Sequence, residues 1–416
     1  MSSSNNTSDD SISEPEPESQ SKPGSLRNVV FIGLISFFTD ISAEMVYPLI
    51  PLYLTMVLGA TPALVGVIEG IAESSASLLK VFSGYVSDRL QKKKLLTFLG
   101  YSPGILYKIV LILASSWAGI LAARLVDRVG KGIRTAPRDV LVSESTDEAN
   151  MGKAFGIHKA LDMSGAGLGV LIAFFLMRAQ GDGFDFKQVF LLSIIPAAVG
   201  LFMFVFVKEQ KTVRPRKQRE AFWKNYKKID GQLRLYLLVT LLFTLGNSSN
   251  AFILLKAATV GIDSVNVILL FFVYHVVASI LSIPFGRLSD RIGRKKLLVS
   301  GYLTFALCYL GFALAQSGLV MVLAFVLYGG FTAMITGVER AYIAEIAPPE
   351  LKGTMLGLQS TVVGIALLPA SVIAGVLWEA LGSAAPFAFG ASLSVAAAAL
   401  LLLFMHNRSR QDHPAQ

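Results

Sequence analysis

Gly84-Tyr85-Val86-Ser87-Asp88-Arg89-Leu90-Gln91-Lys92-Lys93-Lys94 returns later in the chain as Gly286-Arg287-Leu288-Ser289-Asp290-Arg291-Ile292-Gly293-Arg294-Lys295-Lys296. Each copy lies between two long apolar runs. A short basic segment in that position reads as a turn at a membrane surface, and its recurrence reads as duplication of the half-chain around it. Arg138 and Arg340 keep the same interval as the two loops. Gly152 with Gly353 and Gly156 with Gly357 fall one residue short of it, which one insertion or deletion explains.

The composition outside the loops supports a membrane setting. Of 416 residues, 53% are hydrophobic and 16% charged, and the mean hydropathy is +0.60. A soluble chain carries about 25% charged residues and could not hide this much apolar surface. Cys308 is the only cysteine, so no disulfide forms within the chain. Twelve apolar runs have about the length that crosses a ~30 Å hydrocarbon core. They are 29–58, 63–83, 95–115, 118–139, 154–177, 188–207, 234–255, 264–285, 297–315, 319–340, 353–378 and 383–405, called spans one to twelve below. The alternation of a β-barrel is absent, and helices alone satisfy their own backbone in lipid. The expected fold is therefore an all-α integral membrane protein with two six-helix bundles, 29–207 and 234–405, joined by a basic linker at 208–233.

Lysine and arginine set the orientation. With the N-terminus inside, the tails and the loops on that side hold 24 of the 37 basic residues, the opposite loops hold three, and ten fall inside spans. Both termini are expected in the cytoplasm, at the cell (inner) membrane. This also accounts for the net charge of +9 without a nucleic-acid partner. The basic stretch from Lys208 to Lys228 reads as a cytoplasmic stop signal that can touch anionic lipid. Residues 1–28, rich in Ser, Asn, Glu and Pro, are expected to be a disordered cytoplasmic tail, and 406–416 a cytoplasmic tail. Without a basic n-region and a short h-region, insertion is expected to use span one itself.

The pattern Gly-x-x-Ser-Asp-Arg-x-x-x-Lys-Lys after span two resembles the signature loop of the major facilitator superfamily, and here it stands in both halves. The chain also resembles a widespread bacterial permease branch through Ser36-Phe37-Phe38-Thr39-Asp40 in span one and Arg128-Val129-Gly130-Lys131-Gly132-Ile133-Arg134-Thr135-Ala136-Pro137-Arg138-Asp139 in span four. The resemblance implies twelve spans and solute transport by alternating access, and says little about the solute.

In the signature loops, Gly84 permits close helix approach. A carboxylate at Asp88 can cap a neighbouring helix and pair with an arginine such as Arg138. Asp88 and Asp290 are expected to act as latches that hold the cytoplasmic side shut and release on opening, with Gly286 and Arg340 in the equivalent places. Arg89 and Arg291 belong to the same gating loops, topology being the competing reading for Arg89, and Lys92 to Lys94 are expected mainly to fix topology. Charges within spans are more informative, because a charge at mid-bilayer costs about 2.5–3.5 kcal/mol on insertion scales and so faces a cavity or a partner. Asp40 and Glu44 share one helical face, and Glu69, Glu73 and Lys80 fall within about 40° of each other. Arg124, Asp127, Arg128, Lys131, Arg138 and Asp139 fall within about 120°, provided Pro137 does not reorient the last turn. Span five adds His158, Lys159 and Asp162. We expect Asp40, Glu44 and Asp162 to be proton-coupling candidates, and Arg124 and Arg128, with Glu69 and Glu73, to be solute-binding candidates. Snorkelling near the cytoplasmic end is the competing reading for Lys131, Arg134 and Arg138.

Spans seven to nine, eleven and twelve have few ionisable groups, so Asn247 and Asn250 are the solute-binding candidates there, Tyr274 and Gln359 are further polar candidates, and His275 reads as a hydrogen-bonded helix residue. Span five carries Gly156, Gly165, Gly167 and Gly169, which resembles part of the antiporter signature of drug exporters. That signature continues with Gly-Pro, whereas Gly169 is followed by Val170, so the glycines read as packing residues. No nucleotide-binding, catalytic or metal-ligand pattern is present, and no cofactor is expected. The chain is expected to be a monomeric permease, not an enzyme. Its partners are a small solute, protons and the bilayer, and the favoured solute is an anionic or zwitterionic metabolite or metal chelate. Proton-driven efflux of amphipathic drugs is the alternative within transport; a non-transporting sensor or assembly factor is the alternative outside it.

Overall fold

Span four departs most from an ordinary membrane helix. A computed structural model of the chain describes residues 26–90, 92–146, 150–181, 184–209, 229–348 and 351–405, without the side chains of 81–82, 84–90 and 352–353. In it, eleven helices are long and apolar enough to cross a membrane, and Trp117–Glu144 is not among them. Its 28 residues span about 42 Å at 1.5 Å per residue, ample for a ~30 Å core, but it carries too many charges to count as apolar. It stays continuous through Pro137 to Glu144, so the charged face is not broken at the proline. Packing of this helix between spans two, three and five turns that face toward protein.

The described residues are helical throughout, apart from connections. The first helix begins at Leu26, and Asn28 is buried, so the expected tail ends earlier than residue 28. The rest of that tail, most of the basic linker and the residues after 405 lie outside the described residues. Spans two and eleven, and spans five and eight, form the seams between the halves. The first seam is close because it is lined with small residues: a Cβ on Gly375 would sit 2.6 Å from the Ala63 Cα, and one on Gly66 would strike the Ser371 carbonyl. In span five, Gly165 and Gly169 pack against the backbone of span one at Phe37 and Ile41, whereas Gly156 meets open space. A Cβ on Gly167 would meet only the edge of the Phe272 ring at 3.9 Å, so two of the four are close-packing glycines.

Besides single-residue breaks at Ser102 in span three and Ser193 in span six, three spans are interrupted for two residues or more. The helix Leu26–Glu44 stops, turns, and resumes as Leu49–Leu52. Gly231–Gly246 is separated from Ala251–Thr259 by Asn247, Ser248, Ser249 and Asn250. Gly318–Ile335 is separated from Val338–Ile346 at Thr336 and Gly337, where Gly337 takes a φ of 85° that side-chain-bearing residues rarely adopt. Broken backbone at membrane depth survives where it is buried in protein or lines a cavity, and all three breaks border the same cavity.

The basic triplets of the repeated loops do more than fix topology. Lys93 pairs with Glu144 at the end of span four, and Lys94 Nζ donates to the Val207 carbonyl at the end of span six, 2.7 Å away. The second half repeats the arrangement. Arg294 pairs with Glu345 at 3.1 Å, and Lys295 Nζ donates to the Leu402 and Met405 carbonyls at 3.1 and 2.6 Å. Cations placed on helix C-terminal carbonyls satisfy otherwise orphaned acceptors. Each half is therefore clasped within itself at its basic-loop end.

Candidate functional site

A cavity of about 460 Å³ lies between the halves at the level of the helix breaks. This is within the range of small-molecule sites, roughly 300–1,000 Å³. Its two walls differ. The N-terminal wall, from spans one to four, carries Asp40, Glu44, Glu73 and Asp127 against Arg124, Arg128, Lys131 and Arg134. The C-terminal wall, from spans seven, eight, ten and eleven, carries Asn247, Asn250, Phe271, Tyr274, Tyr328 and Glu339 among its lining.

The arginines of span four point inward and are neutralised. Arg124, 1% exposed, places a terminal nitrogen 2.6 Å from Glu69 Oε2 and 3.6 Å from Glu73 Oε1. Arg128 lies 2.8 Å from Glu73 and 3.6 Å from Asp127. Both guanidinium groups sit over the Tyr47 ring, at 5.2 and 5.7 Å, where the ring quadrupole attracts a cation. Buried charges need this pairing, since removing one partner of a buried pair costs about 3–5 kcal/mol. Ser249, at the break in span seven, donates to the same Glu69 Oε2 at 3.2 Å, so one carboxylate oxygen joins the two halves. Glu69 itself is buried behind the wall rather than among the cavity-lining residues.

The carboxylates of span one have different surroundings. Asp40 lines the cavity from span one, and Asp162 stands on span five. Asp162 lies 2.9 Å from Lys159 and 3.9 Å from Arg138. Glu44 Oε2 lies 3.9 Å from His275 Nε2 across the halves, and both atoms are buried without a hydrogen-bond partner among the described residues. Arg134 stacks over Tyr101 at 4.3 Å. The Lys131 side chain is exposed to the cavity and makes no hydrogen bond or ion pair with a described residue.

On the C-terminal wall, Asn250 Oδ1 accepts from the Tyr328 hydroxyl at 2.7 Å, and Asn247 lines the cavity. Gln359 donates to Glu339 at 3.4 Å instead of lining the cavity, and the Tyr302 hydroxyl donates to the same residue at 3.4 Å. Glu339 is the ionisable cavity residue that the sequence analysis did not single out. Its signal was an acid two residues after a glycine inside an apolar run. His158 belongs to a buried network with Ser36 and Tyr101, at 3.0 Å and 2.9 Å from the Ser36 hydroxyl.

The signature loops differ from the expected latches. Asp290 is exposed and pairs with Arg294, four residues on, at 3.6 Å. Arg340 and Arg291 are exposed as well, and a Cβ on Gly286 would meet open space. Arg138 is engaged by Asp139, at 3.0 Å, and by Asp162. Gly84, Asp88 and Arg89 lie outside the described side chains.

The halves touch mainly at the end opposite the basic loops. There Ala63 N donates to Glu379 at 3.2 Å, and the Ser264 hydroxyl reaches the Met56 sulfur at 3.3 Å. Deeper in, the Ser74 hydroxyl donates to the Gly364 carbonyl at 2.6 Å. At the basic-loop end no hydrogen bond or ion pair joins the halves among the described residues.

A multi-pass helical protein with two repeated bundles and a charged cavity at their interface defines the class of secondary transporters. The sequence profile of the Major Facilitator Superfamily matches residues 32–255 and 235–416. An uncharacterised MFS-type transporter of Methanocaldococcus jannaschii is 37% identical over 386 residues, covering 91% of this chain and 95% of that one. The chain therefore belongs to the Major Facilitator Superfamily. Its fold is similar to that of the nucleoside transporter NupG, with a TM-score of 0.79 at 11% identity over 91% of this chain and 99% of that one. It is also similar to a D-xylose-proton symporter, with a TM-score of 0.72 at 14% identity over 92% and 97% of the two chains. The chain is a transporter of small solutes, not an enzyme.

Proposed function

We propose that this transporter moves a charge-bearing small solute by alternating access and couples that movement to protons. The observation that carries the reading is the cavity: it is sealed by cross-half contacts at the end of Ala63 and Glu379, and charged on one wall. This supports a state open toward the basic loops, which the distribution of lysine and arginine assigns to the cytoplasm. Arg124 and Arg128, held by Glu69 and Glu73, form a preorganised polar platform rather than a bare cationic patch. Asn247 and Asn250 offer amide contacts from the facing wall.

Proton coupling falls to span one. Asp40 makes no ion pair with a described residue, and a cavity carboxylate on a membrane span without a paired cation is a candidate to carry the proton. Asp40 lines the cavity, so the proton has a path to water. Glu44 is the second carboxylate on that face. The protein works as a monomer in the cell (inner) membrane, with both termini inside.

The test is solute-driven proton movement. Liposomes carrying the purified chain and an internal pH dye are exposed to a small-molecule extract of the source cells. Proton movement that needs the chain and is lost in Asp40→Asn is the expected result. Solute accumulation that persists when the pH gradient is collapsed would remove proton coupling. Efflux of amphipathic drugs is the second reading, favoured by the aromatic residues of the C-terminal wall; drug-susceptibility profiling of a deletion strain separates the two.

A further inference from the structure

Apart from Asp40, which the proton reading uses, the charged groups of the N-terminal wall are engaged, with two exceptions. Arg124 and Arg128 are paired with Glu69, Glu73 and Asp127, and Arg134 stacks on Tyr101. Lys131 on span four and Glu44 on span one remain: both line the cavity, and no ion pair joins them. The Lys131 ammonium reaches the open cavity. The Glu44 Oε2 atom is buried with no hydrogen-bond partner among the described residues, and so is His275 Nε2, which faces it from the other half at 3.9 Å.

We infer that the cavity takes a zwitterion whose cationic nitrogen sits between Glu44 and His275 and whose anionic group meets Lys131. In the tautomer with hydrogen on Nδ1, His275 Nε2 is an acceptor. Two acceptors 3.9 Å apart are too far for each other but suit a donor that bonds to both at about 2.8–2.9 Å. An ammonium or guanidinium provides those donors. A solute without the cationic nitrogen leaves the buried Glu44 oxygen at the penalty of a buried group without a partner, and one without the anionic group leaves the Lys131 ammonium without a counter-ion. The facing wall determines the rest of the molecule. Phe271, Tyr274 and Tyr328 form a continuous ring array, with centroids 5.3 and 5.1 Å apart, suited to a planar or apolar body. The nitrogen also bridges spans one and eight, so binding ties the two halves together.

This assignment rests on the transport reading and is tested apart from it. Thermal unfolding of the full chain in detergent is followed against free phenylalanine, its amide and its N-acetyl derivative, and against the same three forms of tyrosine and tryptophan. At least one zwitterion should bind, with its amide and N-acetyl forms weaker by roughly tenfold or more, the size of a lost charged hydrogen bond. Lys131→Gln should erase the discrimination against the amide alone, and Glu44→Gln the discrimination against the N-acetyl form alone. Singly charged forms binding as well as the zwitterion, discrimination unchanged in the variants, or no zwitterion binding would each overturn the assignment. Proton movement driven by the cell extract in liposomes, with no zwitterion bound, would overturn this site and leave transport standing. Zwitterion binding without proton movement would do the reverse for coupling.

Discussion

Replacing Arg124 with Leu removes more than a positive charge, because it strands Glu69 at 1% exposure beside a hydroxyl donor and no cation. Arg124→Leu and Glu69→Leu are each expected to destabilise the protein by about 3–5 kcal/mol. The double variant should lose much less than the sum, by a coupling of roughly 0.5–3 kcal/mol. Detergent unfolding of the four proteins measures this, and additive losses would mean the pair is not an energetic unit. Lys131→Gln should change stability by only about 0.5 kcal/mol either way, since its ammonium holds no described partner. Sequence spacing placed the span-four charges on one face, and that face does point inward. It could not show which carboxylates answer which arginines, because the partners lie on another helix and depend on how two helices pack.

At the scale of elements, the length and order of the spans were readable because hydropathy is additive along a run. The interruptions were not, even though Asn247-Ser248-Ser249-Asn250 is a polar tetrad in the middle of an apolar run. A helix opens there only because a cavity beside it accepts the freed backbone, and that cavity is made by the other half. Likewise Lys93, Lys94, Arg294 and Lys295 were legible as a topology signal but not as clasps on the ends of distant spans. Two substitutions probe these elements. Gly337→Ala forces a side chain into a positive φ and should lower the unfolding free energy by about 1–2 kcal/mol. Gly375→Val places methyl groups against the backbone of Ala63, so it should part spans two and eleven. An Asn250→Cys reporter, with Cys308 buried, should then label with an impermeant maleimide from the Ala63 side only in the Gly375→Val background. Labelling that stays unchanged would show that the seam does not seal the cavity.

For the whole molecule, twelve crossings put both termini on one face, and that face should be the one bearing the repeated loops. Protease-cleavable tags at either end should be cut only from the cytoplasm; cleavage of just one tag would mean that a span, span four above all, fails to cross. The two halves are each fastened internally by Lys93 to Glu144 and by Arg294 to Glu345, yet are not fastened to each other at that end among the described residues, which favours motion of each half as a unit. The near-cancellation of acidic and basic groups on the N-terminal wall has an electrical corollary. A membrane potential does about 2.3 kcal/mol of work per net elementary charge per 100 mV, and a wall whose charges sum to nearly nothing carries little current when it tilts. The unloaded carrier should thus reset at a pace indifferent to voltage, leaving any voltage sensitivity of the cycle to the cargo and the accompanying proton.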